Sequence, residues 1–432
     1  MILLNAVAVV GYVATLIYIS RKYRQYFIVF AYLSAMQLWA LFSCFCNDLG
    51  VYNSELFFHT VPTLATARLG IFYTIFNMGF ILAARVIGAR VLTRIDYTLG
   101  VTSAWRRNLR LVLYLLVAVV VGHVSYSFIT GGIPVLTGLD RLDYFEQAGT
   151  LDRFLTHNSM LIAFALGLFR VRKGRYSVNG LIFVGMIIYA VLIGHKFSFL
   201  VGILTCYYTP VFIRHVHDNG GRGIFNVRHF VTAMVICTAF VAFAYASYVH
   251  RLNSPSRALT QLVDRICTSQ GQIWWAVDYG YLGLRTHDPE HWRAELRHIV
   301  STERGPSDDA GMRYLMVQIL GQDRAQAVFS HGYLYTMAYP AILLVTFPYA
   351  LAIALQFAAG VVFFVLLYYL YYCIVYRHHF RSIVMCLVVF PYITMLFTGN
   401  FFVFVSVGML VKFMVLTAME TGLFRGMMRT ET

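Results

Sequence analysis

Charge is what this 432-residue chain has least of: Asp, Glu, Lys and Arg together make up 12% of it, against 59% hydrophobic residues. A soluble domain carries about a quarter charged residues. With a mean hydropathy of +0.67, the shortfall excludes a soluble globular protein. Acids are scarcer than bases, 19 against 34. Cysteine is limited to seven residues with no C-x-x-C spacing: Cys44 and Cys46 end one apolar run, and Cys206, Cys237, Cys373 and Cys386 fall in others. That spacing indicates neither a disulfide framework nor a zinc site. No basic region precedes the first apolar run, so residues 1–20 are expected to be a first helix rather than a cleavable signal.

What the chain has instead is long apolar runs. Roughly twenty such residues cross a bilayer. Candidate spans lie near 2–20, 26–46, 68–88, 109–129, 154–170, 178–194, 197–213 and 229–249, then near 346–375, 382–397 and 401–419. The piece 334–344 is short for a span and contains Pro340, which suits a re-entrant segment or a helix extension. The fold expected is an all-α polytopic membrane protein of about 11 transmembrane helices (about 10–12), with a large extracytoplasmic loop of short helices between the eighth and ninth. Three regions follow: 1–249 with spans one to eight and an outer loop at 130–153, a large outer loop or lid at 250–333, and 334–432 with the short piece and the last three spans.

The basic residues give the orientation. Sorted by alternate connections, about twenty of the 34 Lys and Arg fall on one side, including Arg21, Lys22, Arg85, Arg106, Arg107, Arg170, Arg214, Arg377 and Arg381. By the positive-inside rule that side is the cytoplasm, which leaves the N-terminus outside and the C-terminus inside. A sequence pI near 9.5 is then mostly topology, and nucleic acid loses its claim as a partner.

Basic residues on the opposite face need another explanation. Residues 131–145 read G-G-I-P-V-L-T-G-L-D-R-L-D-Y-F; there Arg141 can offer a planar bidentate donor to an oxyanion, or can pair locally with an Asp. Lys196, in G-H-K between two apolar runs, either snorkels or meets an anion. The insert opens with Arg251 and runs through an amphipathic stretch, 258–267, carrying Arg265. Then comes S-Q-G-Q-I-W-W, where Trp274 and Trp275 suit a membrane-interface belt or a platform for sugar rings. The His-rich section 285–304 lacks a metal-site signature and reads as a solvated face. Arg313 follows, and His331 in S-H-G stands at the re-entry to the membrane, as a general base or a helix cap. Asp308 and Asp309 are alternative bases or turn residues. Arg141, Lys196, Arg251, Arg265 and Arg313 together suit a lipid-linked pyrophosphate at headgroup level, where cations stabilise the charge that develops as a glycosidic bond breaks. Tyr144, Gln272 and Trp275 are the candidate sugar contacts, and the catalytic candidates are His331, Arg265 and Asp308.

In order along the chain, the G-G-I-P-x-L and D-R-L-D-Y-F loop, the G-H-K turn, Arg265 with Q-G-Q-x-W-W, and S-H-G resemble the Wzy-type O-antigen and enterobacterial common antigen polymerases. More distantly, they resemble the O-antigen ligases. The resemblance implies a C-type membrane glycosyltransferase of the bacterial inner membrane, acting on its periplasmic face without nucleotide sugar, cofactor or obligatory metal. It implies an undecaprenyl-pyrophosphate-linked oligosaccharide as donor and another as acceptor, with membrane lipids and a chain-length regulator as further partners. Arg141, Lys196 and Arg265 would then face the pyrophosphates and His331 the acceptor. Lys196 stands where these families often carry Arg, keeping the charge but not the fork. The alternatives are a ligase that moves glycan to lipid A core and a flippase or other transporter. A transporter is expected to carry ionisable groups within its spans and an internal repeat. Here Lys412 is the main intramembrane charge and no repeat is evident.

Overall fold

The computed structural model describes residues 1–53, 56, 58–87, 103–137, 144, 150–170, 177–195, 197–219, 252–281, 311–330, 337–401, 404 and 406–420, with isolated positions within 238–249 and 293–297. The protein is predominantly helical, and among the described residues seven helices are long and apolar enough to cross a membrane. It is a multi-pass membrane protein. In chain order the first helices are α1 (Ile2–Lys22), α2 (Phe27–Asp48, entered through a 3₁₀ turn), α3 (Ala65–Val86), α4 (Ser103–Gly131), a short α5 (Pro134–Thr137), α6 (Thr150–Leu168), α7 (Val178–Leu192) and α8 (Phe197–Asn219). The insert adds α9 (Pro255–Cys267), α10 (Gln272–Tyr281), α11 (Gly311–Leu320) and α12 (Gln322–Ser330). Then come α13 (Ala341–Thr346), α14 (Tyr349–Val375), α15 (His379–Thr398) and α16 (Val407–Glu420). Of the expected span at 229–249 only scattered positions between 238 and 249 are described, all of them helical, and the rest lies outside the described residues.

Among the described residues, one departure from helix is a two-residue antiparallel hairpin between α2 and α3, pairing Tyr52 with His59 and Asn53 with Phe58. The other concerns the piece at 334–344. Its described part forms α13, a buried single turn and a half, separated from α14 by Phe347-Pro348. Pro348 keeps Phe347 extended (φ −125°, ψ 152°), because its ring clashes with a helical preceding residue.

Small residues set the tightest packing, as expected where lipid removes the hydrophobic drive between helices. The most extensive helix pair is α3 with α14. A Cβ built on Gly360 would lie 2.0 Å from the Phe76 carbonyl oxygen, and one on Gly79 2.1 Å from that of Phe357. Only hydrogen fits at either position. Gly167 meets Tyr207 in the same way where α6 crosses α8.

The basic helix ends gather at one face. Lys22 and Arg85 both donate to the Tyr18 hydroxyl, at 3.1 and 3.0 Å. From there aromatic contacts run through Tyr23 and Phe80, Tyr26 and Tyr371, and Tyr372 and His378. His379 then packs on Phe169, next to Leu168, whose carbonyl Arg214 caps. The opposite end is tied by acids and amides. Asp48, 1% exposed, accepts from the Asn5 amide and from the backbone N–H and hydroxyl of both Thr63 and Thr66. It thereby satisfies donors at the start of α3 that the helix cannot satisfy itself.

Candidate functional site

The proximal end of the insert is seated on α2. Helix α9 starts as its sequence dictates: the Ser254 hydroxyl accepts from the Arg257 N–H at 3.5 Å and Pro255 occupies the first turn. Ala258 is buried, whereas Leu259 and Val263 are 54% and 49% exposed on the adjoining apolar arc. An exposed apolar arc of this kind is the pattern of helices suited to a bilayer surface. Arg265 is exposed on the polar side of the arc, its guanidinium 5.6 Å from the centre of the Tyr248 ring. The C-terminal end of α9 is held by one face of α2: Trp39 Nε1 donates to the Ile266 carbonyl at 2.9 Å and Asn47 Nδ2 to that of Thr268 at 3.1 Å.

Helix α10 goes deeper, and Q-G-Q-x-W-W becomes intelligible as packing. The Gly271 N–H donates to Ser43 Oγ at 2.7 Å, and a Cβ at Gly271 would fall 2.2 Å from the Cys44 nitrogen. Trp274 donates to the Ala65 carbonyl at 2.7 Å and packs on Phe72. Both Trp side chains are buried, as is Gln272. The faces of Trp275 and Gln272 offered to a sugar are therefore covered by protein, and neither Trp belongs to an exposed interfacial belt. Trp275 stacks on Tyr279 at 5.1 Å and 14°, and Tyr279 carries the exposed ring of that pair.

Two residues to which the motifs assigned no role complete this end. Asp278, one turn beyond Trp274, is 2% exposed and accepts from Arg68 on α3 at 2.7 Å. A carboxylate buried among aromatic residues requires such a partner. An acid inside an apolar helix is a signal legible in sequence; its partner 210 residues away is not.

Of the loop at 131–145 and the G-H-K turn, the described parts, residues 131–137 with Tyr144 and Gly194 with His195, lie near one another at the end of α4 and α7. Tyr144 is buried with its ring 6.5 Å from Phe128, which lies 5.9 Å from Tyr189. Helix α5 packs on α7, and Val135 faces the Cα of Gly194. His195 stacks on Phe199 at 4.2 Å, at the edge of a small cavity between α6, α7 and α8 that Ser159 and Tyr189 also line. Arg313, half-buried on α11, places its guanidinium 3.9 Å from the centre of the Phe329 ring on α12. Lys412 donates to the Leu387 carbonyl at 3.3 Å, a partner within the bundle for a cation on an apolar helix. Arg141, Lys196, Arg251, Asp308 and His331 lie outside the described residues, as does nearly all of 285–304.

The class defined by this architecture is a multi-pass α-helical membrane protein in which short helices of the insert pack against one end of the bundle. Residues 305–427, from the end of the insert through α15 and α16, match a family of unknown function, DUF6418. No curated protein and no solved structure matches the chain.

Proposed function

We infer that this protein is a polysaccharide polymerase of the bacterial inner membrane. It transfers a glycan from one undecaprenyl-pyrophosphate carrier to the sugar of another. The observation that carries this reading is α9: an amphipathic helix suited to the membrane plane, anchored to α2 at its end and presenting Arg265 exposed beside its apolar arc. That is the depth at which a polyprenyl pyrophosphate meets water, and a guanidinium there matches its oxyanions. Arg141, Lys196, Arg251 and Arg313 supply further cations from the same face of a chain with about eleven spans, an outer N-terminus and an inner C-terminus.

In the reaction, a hydroxyl oxygen of the acceptor sugar attacks the anomeric carbon of the donor glycan. The bond from that carbon to the pyrophosphate breaks, and undecaprenyl pyrophosphate leaves with the electron pair. His331 takes the hydroxyl proton, with Asp308 as the alternative base. The cations hold the charge that grows on the leaving group. Tyr279 replaces Trp275 as the aromatic face within reach of a sugar, because Trp275 is covered.

The test is the envelope glycan of a deletion strain. Single repeat units on lipid A core indicate a missing polymerase. Long carrier-linked chains with bare core would instead make the protein a ligase, and loss of all outward-facing units a transporter.

A further inference from the structure

Two half-buried cysteines that sequence spacing gives no reason to pair are brought together by the docking of the insert. Cys46 lies near the end of α2, on the face that carries Trp39 and Asn47, and Cys267 ends α9 between Ile266 and Thr268, whose carbonyls those two side chains hold, so the two cysteines share one contact between the helices. The contact is fixed on both sides. Trp39, Ser43, Cys46 and Asn47 recur at helical spacing along one face of α2, and the other three bind Ile266, Gly271 and Thr268. Both residues are half-buried, unlike Cys206 and Cys386, which are buried.

We propose that Cys46 and Cys267 form a disulfide that staples α9, with Arg265, to the outer end of α2. The inference rests on the orientation adopted above, because disulfides persist on the oxidising side of a bacterial membrane and not in the cytoplasm. The step is thiol–disulfide exchange. A thiolate of the pair attacks a disulfide-bearing oxidant of that compartment, and the mixed disulfide is resolved by the second thiol. One S–S bond forms in the protein, one breaks in the oxidant, and two protons and two electrons pass to the oxidant's sulfurs. The bond closes a loop of more than two hundred residues, the kind of cross-link that restricts an unfolded chain most.

The experiment uses the full-length protein. Thiols are trapped with N-ethylmaleimide in whole cells, the protein is purified, and unreduced peptides are mapped by mass spectrometry. In parallel, purified reduced protein is incubated with oxidised glutathione. The expected result is a cross-linked Cys46–Cys267 peptide in both arms, lost in C46S and in C267S, with Cys206 and Cys386 unlinked. Reduction should lower the Tm of the wild type by about 5 °C and leave that of C46S unmoved. Failure to form the bond with oxidised glutathione overturns the juxtaposition. Formation in the purified protein but free thiols in cells overturns the staple and counts against the adopted orientation. A staple present in cells whose deletion strain still makes long glycan chains leaves this inference standing and removes the polymerase reading.

Discussion

Arg68 and Asp278 meet at 2.7 Å, a guanidinium from α3 on a carboxylate from α10, with the acid almost fully buried and the base 28% exposed. The pair ties the insert to the bundle at a point where α10 could not hold its buried carboxylate alone.

Removing one partner should therefore cost unequally. Arg68→Met leaves a buried carboxylate without its cation and should destabilise by about 2–4 kcal/mol, whereas Asp278→Asn, which leaves a half-exposed Arg, should cost about 1–2 kcal/mol. Thermal unfolding in detergent measures both. Equal losses would show that the acid is not the buried member of the pair.

Asp48 is a second load point. Each of its five donors belongs to the α1 and α3 ends that meet α2. Asp48→Asn exchanges one acceptor oxygen for a donor facing donors, and should lower stability by about 2–4 kcal/mol. Asn5→Ala, which removes a single member, should cost about 1–2 kcal/mol. The same unfolding assay ranks the two.

At the α3–α14 crossing, Gly360→Ala places a methyl against the Phe76 carbonyl and should cost at least about 1–3 kcal/mol, with lower yield of folded protein in membranes. Gly122→Ala is the control, since a Cβ there meets nothing within 4 Å. A neutral Gly360→Ala would mean that the two helices do not approach as described.

Much of the bundle was legible in the sequence because apolar length is a local property. The windows at 2–20, 26–46 and 178–194 match α1, α2 and α7 to within a few residues. The amphipathic reading of 258–267 likewise anticipated α9, whose period is written in a dozen residues. Burial across long separations is not local. Trp274 and Trp275 carry the composition of an interface belt, yet Gly271 lets α10 come close enough to α2 to bury both. Arg68 reads as an ordinary polar start to α3 until Asp278 arrives from the insert.

Arg265 is assigned to the leaving pyrophosphate and sits exposed, so its removal should spare the fold. Arg265→Ala should shift Tm by less than about 2 °C while shortening envelope glycans to one or a few repeat units. Arg265→Lys should restore chains only in part, because an ammonium keeps the charge without the bidentate fork. Glycan ladders on gels, read beside protein levels in the membrane, separate the two effects.

The most direct measurement is polymerisation by the purified protein in lipid vesicles, supplied with undecaprenyl-pyrophosphate-linked repeat units from the deletion strain. The predicted result is carrier-linked chains of two or more units with one free undecaprenyl pyrophosphate released per bond formed, and loss of this activity in His331→Ala and Arg265→Ala. Recovery of unextended units and no released carrier, from wild-type protein shown to be folded, would contradict it.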